Sequence, residues 1–195
     1  MRLILKKGNK NMYTNNYKKI MGAAMNGTSG AISSSTISNI YGSSNPVIAT
    51  DGEAYDYNTS VYLKNFLGIY CNSCNEDCTE SISSYSAGNR NTTGCYICCG
   101  TGNTPESITD YKLDSFVELE LVNGSVGFSV SKILSINTTF KNNTNSSITI
   151  KEIGLYSRPA TSTSVHSKIL IYRKVLDTPV TIAPDEIYTF TITLN

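Results

Sequence analysis

Tryptophan is absent, histidine occurs once, and charge is scarce, with 16 Lys and Arg against 15 Asp and Glu in 195 residues. Each shortage excludes something. The lone histidine, His166, sits in a Ser/Thr loop and supports no Ser–His–acid or Cys–His arrangement around it. The sparse, balanced charge leaves no basic footprint, so nucleic acid is not an expected partner. No apolar run approaches the length of a membrane span, so no membrane partner is expected. The opening Met1-Arg2-Leu3-Ile4-Leu5-Lys6-Lys7 carries too short an apolar stretch for a signal h-region, and the expectation is a protein made in a cytosol.

Ser, Thr and Asn, by contrast, supply roughly a third of the residues, far above ordinary usage. They favour turns and the hydrogen-bonded faces of strands over helix interiors. Tyrosine is the dominant aromatic and suits half-buried β surfaces, with an apolar body and a polar tip. An AT-rich coding sequence would give the same excess of Asn, Lys, Ile and Tyr, so composition assigns no function. The length fits one domain, or a domain plus an arm, and is enough to bury a core.

Residues 14 to 26 carry the one clear helical pattern. Tyr17, Ile20, Met21, Ala24 and Met25 recur at i, i+3, i+4, i+7 and i+8, with Thr14 or Asn15 to cap the start and Gly27 the end. Such a stripe must dock, either on its own domain or on a partner subunit. Tyr17, Ile20, Met21 and Met25 are accordingly the candidate interface residues. The following TSGAISSSTISNIYGSSN stretch reads as an extended arm, so residues 1–45 form a helix-and-arm segment. Residues 46–195 read as a β domain with a cysteine-rich region at 71–99. Val61 to Tyr70 fits either a strand or a short helix.

Beyond the cysteines the pattern is β. Val117, Leu119 and Leu121 alternate with Glu118 and Glu120, which predicts a half-buried strand. Asn123-Gly124 predicts a hairpin turn. Ile133 to Phe140, Ile148-Thr149-Ile150 onward, Lys168 to Leu176 and Val180 to Ile182 follow as strands. In the last stretch Tyr188, Phe190, Ile192 and Leu194 alternate with Thr189, Thr191 and Thr193, which should tie that strand into a sheet. Short strands separated by turn signals predict a mainly β fold, an antiparallel β-sandwich (jelly-roll or Ig-like) with an N-terminal helix and extended arm.

Cys71-x2-Cys74 and Cys95-x2-Cys98 have the spacing of a structural zinc ribbon, with Cys78 and Cys99 as extras. Disulfides and buried free thiols are the alternatives, and spacing does not choose among the three. The cofactor expectation is therefore none, or a structural zinc on Cys71, Cys74, Cys95 and Cys98. Gly100-Thr101-Gly102-Asn103-Thr104-Pro105 looks like a phosphate loop but lacks the Lys-Ser/Thr ending. A turn after a strand Cys95–Cys99 is expected instead. Asp110, Asp114, Glu118 and Glu120 read as a solvated edge. No catalytic residue emerges, and the chain is not expected to be an enzyme.

Three blocks carry a resemblance: GTGNTPESITDYKLDS, then NTTFKNNTNSSITIKEIGLY, then KILIYRKVLDTPVTIAPDEIYTFTITL. In this order they resemble a pattern in virion structural proteins of tailed bacteriophages, across about residues 99 to 195. The resemblance implies a non-enzymatic virion component (capsid decoration, neck, tail or fibre) assembled in the bacterial host cytoplasm. It also implies other virion proteins as partners and a homo-oligomer. The alternative is a receptor- or carbohydrate-binding module, with loop Tyr and Asn contacting a surface. Ile148–Tyr156 raises its own question: whether it is an edge strand offered to a neighbour or a core strand of its own sheet, the second being the expectation.

Overall fold

The computed structural model describes residues 2–4, 13–26, 31–32, 46–50, 52, 54, 61–62, 79–81, 94–128, 134–158 and 169–194. The fold is mainly β. Strands β1 (Arg2–Ile4), β4 (Thr79–Ser81), β7 (Glu120–Phe128), β8 (Leu134–Lys141) and β11 (Ile187–Leu194) form a five-stranded sheet in the order β1-β11-β8-β7-β4. Strands β5 (Gly94–Gly100), β6 (Phe116–Val117), β9 (Ile148–Arg158) and β10 (Ile169–Ile182) form a four-stranded sheet in the order β10-β9-β5-β6. A small pair joins β2 (Ala31–Ile32) to β3 (Val61–Tyr62), and the helix α1 spans Asn15–Asn26. Pairing is antiparallel throughout except β1 on β11.

Alternation sets the packing. On β8 and β11, Ile136, Phe140, Phe190 and Ile192 turn inward, and Thr139 and Thr189 turn outward, where their hydroxyls bond across the strands at 2.8 Å. Ile97, Ile153, Leu155 and Ile169 of the other sheet meet them in one buried cluster, so the sheets form a sandwich. A buried bond from the Ile97 amide to Thr138 Oγ1 (3.2 Å) crosses between the layers. The four-stranded sheet is covered on its other side too. There Cys98, Tyr156 and Leu170 are buried under Leu113, from the segment that follows β5.

Strand β9 lies between β10 and β5, so the Ile148–Tyr156 stretch is a central strand. Several local expectations are corrected. Asn123-Gly124 is no turn but the middle of β7, paired with Thr139 and Thr138. The alternating Val117–Leu121 run is not one strand: Val117 belongs to the four-stranded sheet and Leu121 to the five-stranded one, with the chain crossing at Glu118-Leu119. The segments around Lys168–Leu176 and Val180–Ile182 are one strand, β10. Its register jumps between Val175 and Val180, so Pro179 lies in an edge irregularity, where its missing N–H costs no ladder bond.

The helix docks on its own chain. Thr14 caps it, accepting from the Tyr17 amide (3.4 Å) while its hydroxyl donates to the Leu170 carbonyl (2.8 Å). Asn16 exchanges two bonds with Ile48, at 2.7 and 2.9 Å. Ile20 is 2 % exposed and part of the core, and Tyr17 packs against that core while stacking on Tyr13 at 4.3 Å. Ile20 is therefore unavailable as a subunit anchor, because the domain's own cluster consumes it. Met21 is half-buried, and the side chain of Met25 lies outside the described residues.

Candidate functional site

The most elaborate polar arrangement in the described residues is a latch on the outer face of the four-stranded sheet. Beyond the register shift against β10 that passes over Lys151, β9 alternates Glu152, Gly154 and Tyr156 outward with Ile153 and Leu155 inward. This places a carboxylate, a bare backbone and a phenol under the 101–115 segment. Glu152 is fully buried. Its Oε1 accepts from the amides of Gly102 (3.2 Å) and Ser115 (2.8 Å), and its Oε2 accepts from the Asp114 amide (3.2 Å) and Arg173 Nε (2.8 Å). A carboxylate offers about four lone-pair sites, and all are used.

Arg173, 3 % exposed, stands opposite Gly154 on β10. It donates from Nη1 to Asp110 Oδ2 (2.9 Å) and from Nη2 to the Thr104 carbonyl (3.0 Å). Burial works against the charged guanidinium, but Asp110 and Glu152 outweigh it and hold its pKa above the ordinary value. Next to it, Glu106 accepts from the Val175 amide (2.8 Å) and Lys174 Nζ (3.2 Å). Burial alone would raise the Glu106 pKa, yet these donors bring it below the usual carboxylate value. Asp110 is thus no member of a solvated edge. The latch recruits it, while Asp114 and Glu118 stay exposed.

Glycine makes the close approach possible. A Cβ at Gly102 would stand 2.6 Å from Glu152 Oε1, and one at Gly154 would stand 2.8 Å from both Leu113 Cδ2 and Leu170 Cδ1. Leu113 drops into the gap above Gly154, and its amide donates to the Tyr156 hydroxyl (3.0 Å). Burial pushes the Tyr156 phenol well above its ordinary pKa. The phosphate-loop look of Gly100–Pro105 now has an account: an N–H of this turn does cradle an anion, but that anion is the chain's own Glu152.

A second polar knot ties one end of the sandwich. Asn142 is buried; its Nδ2 donates to the carbonyls of Ser146 and Ile182, both at 2.9 Å, and its Oδ1 accepts from the Thr144 amide (3.0 Å). The backbone joins in, with the Asn142 amide donating to the Glu186 carbonyl (3.0 Å) and the Asp185 amide donating to the Asn142 carbonyl (2.8 Å). Two of the crossings between sheets, β8 to β9 and β10 to β11, are therefore fastened to each other.

Of the proposed zinc ligands, Cys71, Cys74 and the side chain of Cys95 lie outside the described residues, as does His166. Cys98 is a buried cysteine packed with Leu113, Tyr156 and Leu170, and Cys99 is a buried free thiol in the main core. Burial, with Cys98 adding to it, pushes the Cys99 thiol well above its ordinary pKa, which keeps it protonated and inert. The backbone from Gly94 to Gly100 is paired along β9, an extended setting for Cys95-x2-Cys98 where a knuckle would need a tight turn. Among the described residues no group of three His, Cys, Asp or Glu could hold a metal, and no helix is long and apolar enough to cross a membrane. Compared with known proteins, the chain matches no family model, no curated protein and no solved structure.

Proposed function

We propose that this chain is a non-enzymatic structural component of a tailed-phage virion, a capsid decoration, neck, tail or fibre protein, acting through subunit contacts. One observation supports the reading most. The three blocks that resemble such proteins are far apart in sequence yet meet in two knots. Gly102, Thr104, Asp110, Asp114 and Ser115 of the first block close on Glu152 of the second and Arg173 of the third. Asn142 of the second block binds Ile182 and the Asp185–Glu186 turn of the third. The distinctive residues are spent on holding a sandwich together. Glu152, the one fully buried carboxylate among the described residues, has no lone pair left for a substrate. A scaffold that works outside a cell and performs no chemistry needs this kind of internal saturation.

The test is mass spectrometry of particles purified from the source, with copy number set against the major capsid protein. A copy number in the hundreds supports capsid decoration, and about a dozen or fewer supports a neck, tail or fibre position. Absence from all particles overturns the reading and turns attention to glycan and cell-wall binding.

A further inference from the structure

The first strand is held differently from everything around it. Arg2, Leu3 and Ile4 pair with Thr191, Ile192 and Thr193 in parallel, the one parallel pairing among the described strands. They occupy the flank of β11 that would otherwise be a sheet edge, since β8 fills the other flank. Among the described residues only β1 covers that edge, whereas the long edge strand of the other sheet is blunted. On β10 the Ile171 carbonyl is taken by the Thr14 amide, the Val175 amide by Glu106, and the Val175–Val180 stretch is irregular and carries Pro179. Along β11, burial deepens toward the paired end. Thr189 is exposed, Thr191 half-buried and Thr193 only 4 % exposed, and the Thr193 hydroxyl has no partner among the described residues.

The next described residues after β1 are anchored on the opposite sheet, where Tyr13 bridges Tyr172 and Thr14 bonds to Leu170 and Ile171. The helix is thus fixed without help from β1. A three-residue strand brings only a few hydrogen bonds, each worth about 1 kcal/mol net. It can leave β11 while the helix and the sandwich stay in place. Between Ile4 and Tyr13 the chain can reach at most about 30 Å.

We propose that Arg2–Ile4 is an exchangeable strand, seated in assemblies on β11 of a second copy of this chain in the same parallel register. The occupant is argued from the cis arrangement itself: the acceptor edge already takes this sequence residue for residue, so a neighbour's copy restores every backbone bond. Nothing is lost but the advantage of the tether, which is an effective concentration on the order of millimolar for a short linker. Dilute protein is then monomeric, and crowding in an assembly brings exchange. This does not depend on the virion reading, because it is measured on the purified chain alone, and the particle experiment stands or falls separately.

The experiment mixes two full-length chains of different tag mass, one carrying Arg2→Cys and the other Thr191→Cys, positions directly opposite in the register. Chains are oxidised over a concentration series, and the 2–191 linked peptide is identified by mass spectrometry. The double variant in a single chain serves as the cis reference. The expected result is a link between differently tagged chains whose yield rises about tenfold per tenfold concentration below millimolar. A link that closes in cis but never between chains, up to millimolar protein, overturns the proposal. Failure of the double variant to link at all overturns it as well, since the register it rests on would be absent.

Discussion

Replacing Glu152 with alanine is the sharpest perturbation the latch offers. The substitution takes away both carboxylate oxygens at once. It leaves the amides of Gly102, Asp114 and Ser115 and Arg173 Nε without their acceptor. If nothing moved, each orphaned buried amide would cost about 1–3 kcal/mol, and breaking the buried pair would cost about 3–5 kcal/mol. That sum is an overestimate, because the 101–115 segment can lift off and hydrate its amides. Lifting exposes Leu113 and uncovers Cys98, Tyr156 and Leu170, and losing the burial of one leucine costs about 1.5–3 kcal/mol. The cheaper route sets the outcome, and the expected loss is about 3–5 kcal/mol. Against a typical total of about 5–15 kcal/mol that is large. The assay is urea unfolding followed by circular dichroism and tyrosine fluorescence, since the chain has no Trp. If the segment lifts, the m-value falls as well, because less surface remains to be exposed on unfolding. Glu152→Gln keeps one acceptor oxygen and should fall between the variant and the wild type. A loss below about 1 kcal/mol for Glu152→Ala with an unchanged m-value would refute the claim that the carboxylate holds the segment down.

Gly154→Ala should cost about 1–3 kcal/mol through overpacking against Leu113 and Leu170, and adding Leu113→Ala should relieve part of it, a non-additivity readable in a double-mutant cycle. Asn142→Asp replaces the amide that donates to the Ser146 and Ile182 carbonyls with an acceptor, and a loss of about 2–4 kcal/mol in thermal or urea unfolding is expected. Burial raises the pKa of Tyr156 and of Tyr172 above the unfolded value of about 10. Their contribution to stability is therefore complete below about pH 10 and is lost as pH climbs from there toward the folded-state values. In a titration read at 295 nm, these two phenols should ionise only as the protein unfolds. Cys98 and Cys99 should resist a thiol reagent in the native state and react on unfolding. About one equivalent of zinc in purified protein, lost with structure on chelation, would instead support a metal site built with Cys71 and Cys74.

Much of the sandwich was legible because its strands obey a period of two. The closing Tyr188–Leu194 strand and the polar turn that Asn142-Asn143-Thr144-Asn145 predicts both stand where the pattern puts them. The helix was legible from its stripe and cap, but not the surface it docks on, since a buried Ile20 and an interface Ile20 have the same spacing. Asn123-Gly124 misleads because its local turn preference is outweighed by pairing along the whole of β8. The latch was hidden for a different reason. Glu152 and Arg173 each follow one bulge in their own strand, and a bulge moves side chains to the other face without leaving a mark in the hydrophobic count. A signal did exist: both charges are embedded in strongly apolar runs, Ile148–Leu155 and Ile169–Leu176, where an unpaired charge would be prohibitive. That pairing requirement, applied across strands, would have pointed to the two as partners.

The latch also imposes an order in time. Its loop lies 37 to 50 residues ahead of the glutamate it grips, and the arginine that completes it follows 21 residues later still. While the chain emerges from the ribosome, the 101–115 segment has no anchor, then half of one, and is secured only when β10 appears. Strand β11 must slide between β8 and the far earlier β1. Closure of both layers is thus deferred until β10 and β11 have been made, and the flank of β8 that β11 takes is exposed until then. A chain of this design should fold slowly for its size and lean on neighbours or chaperones during that interval.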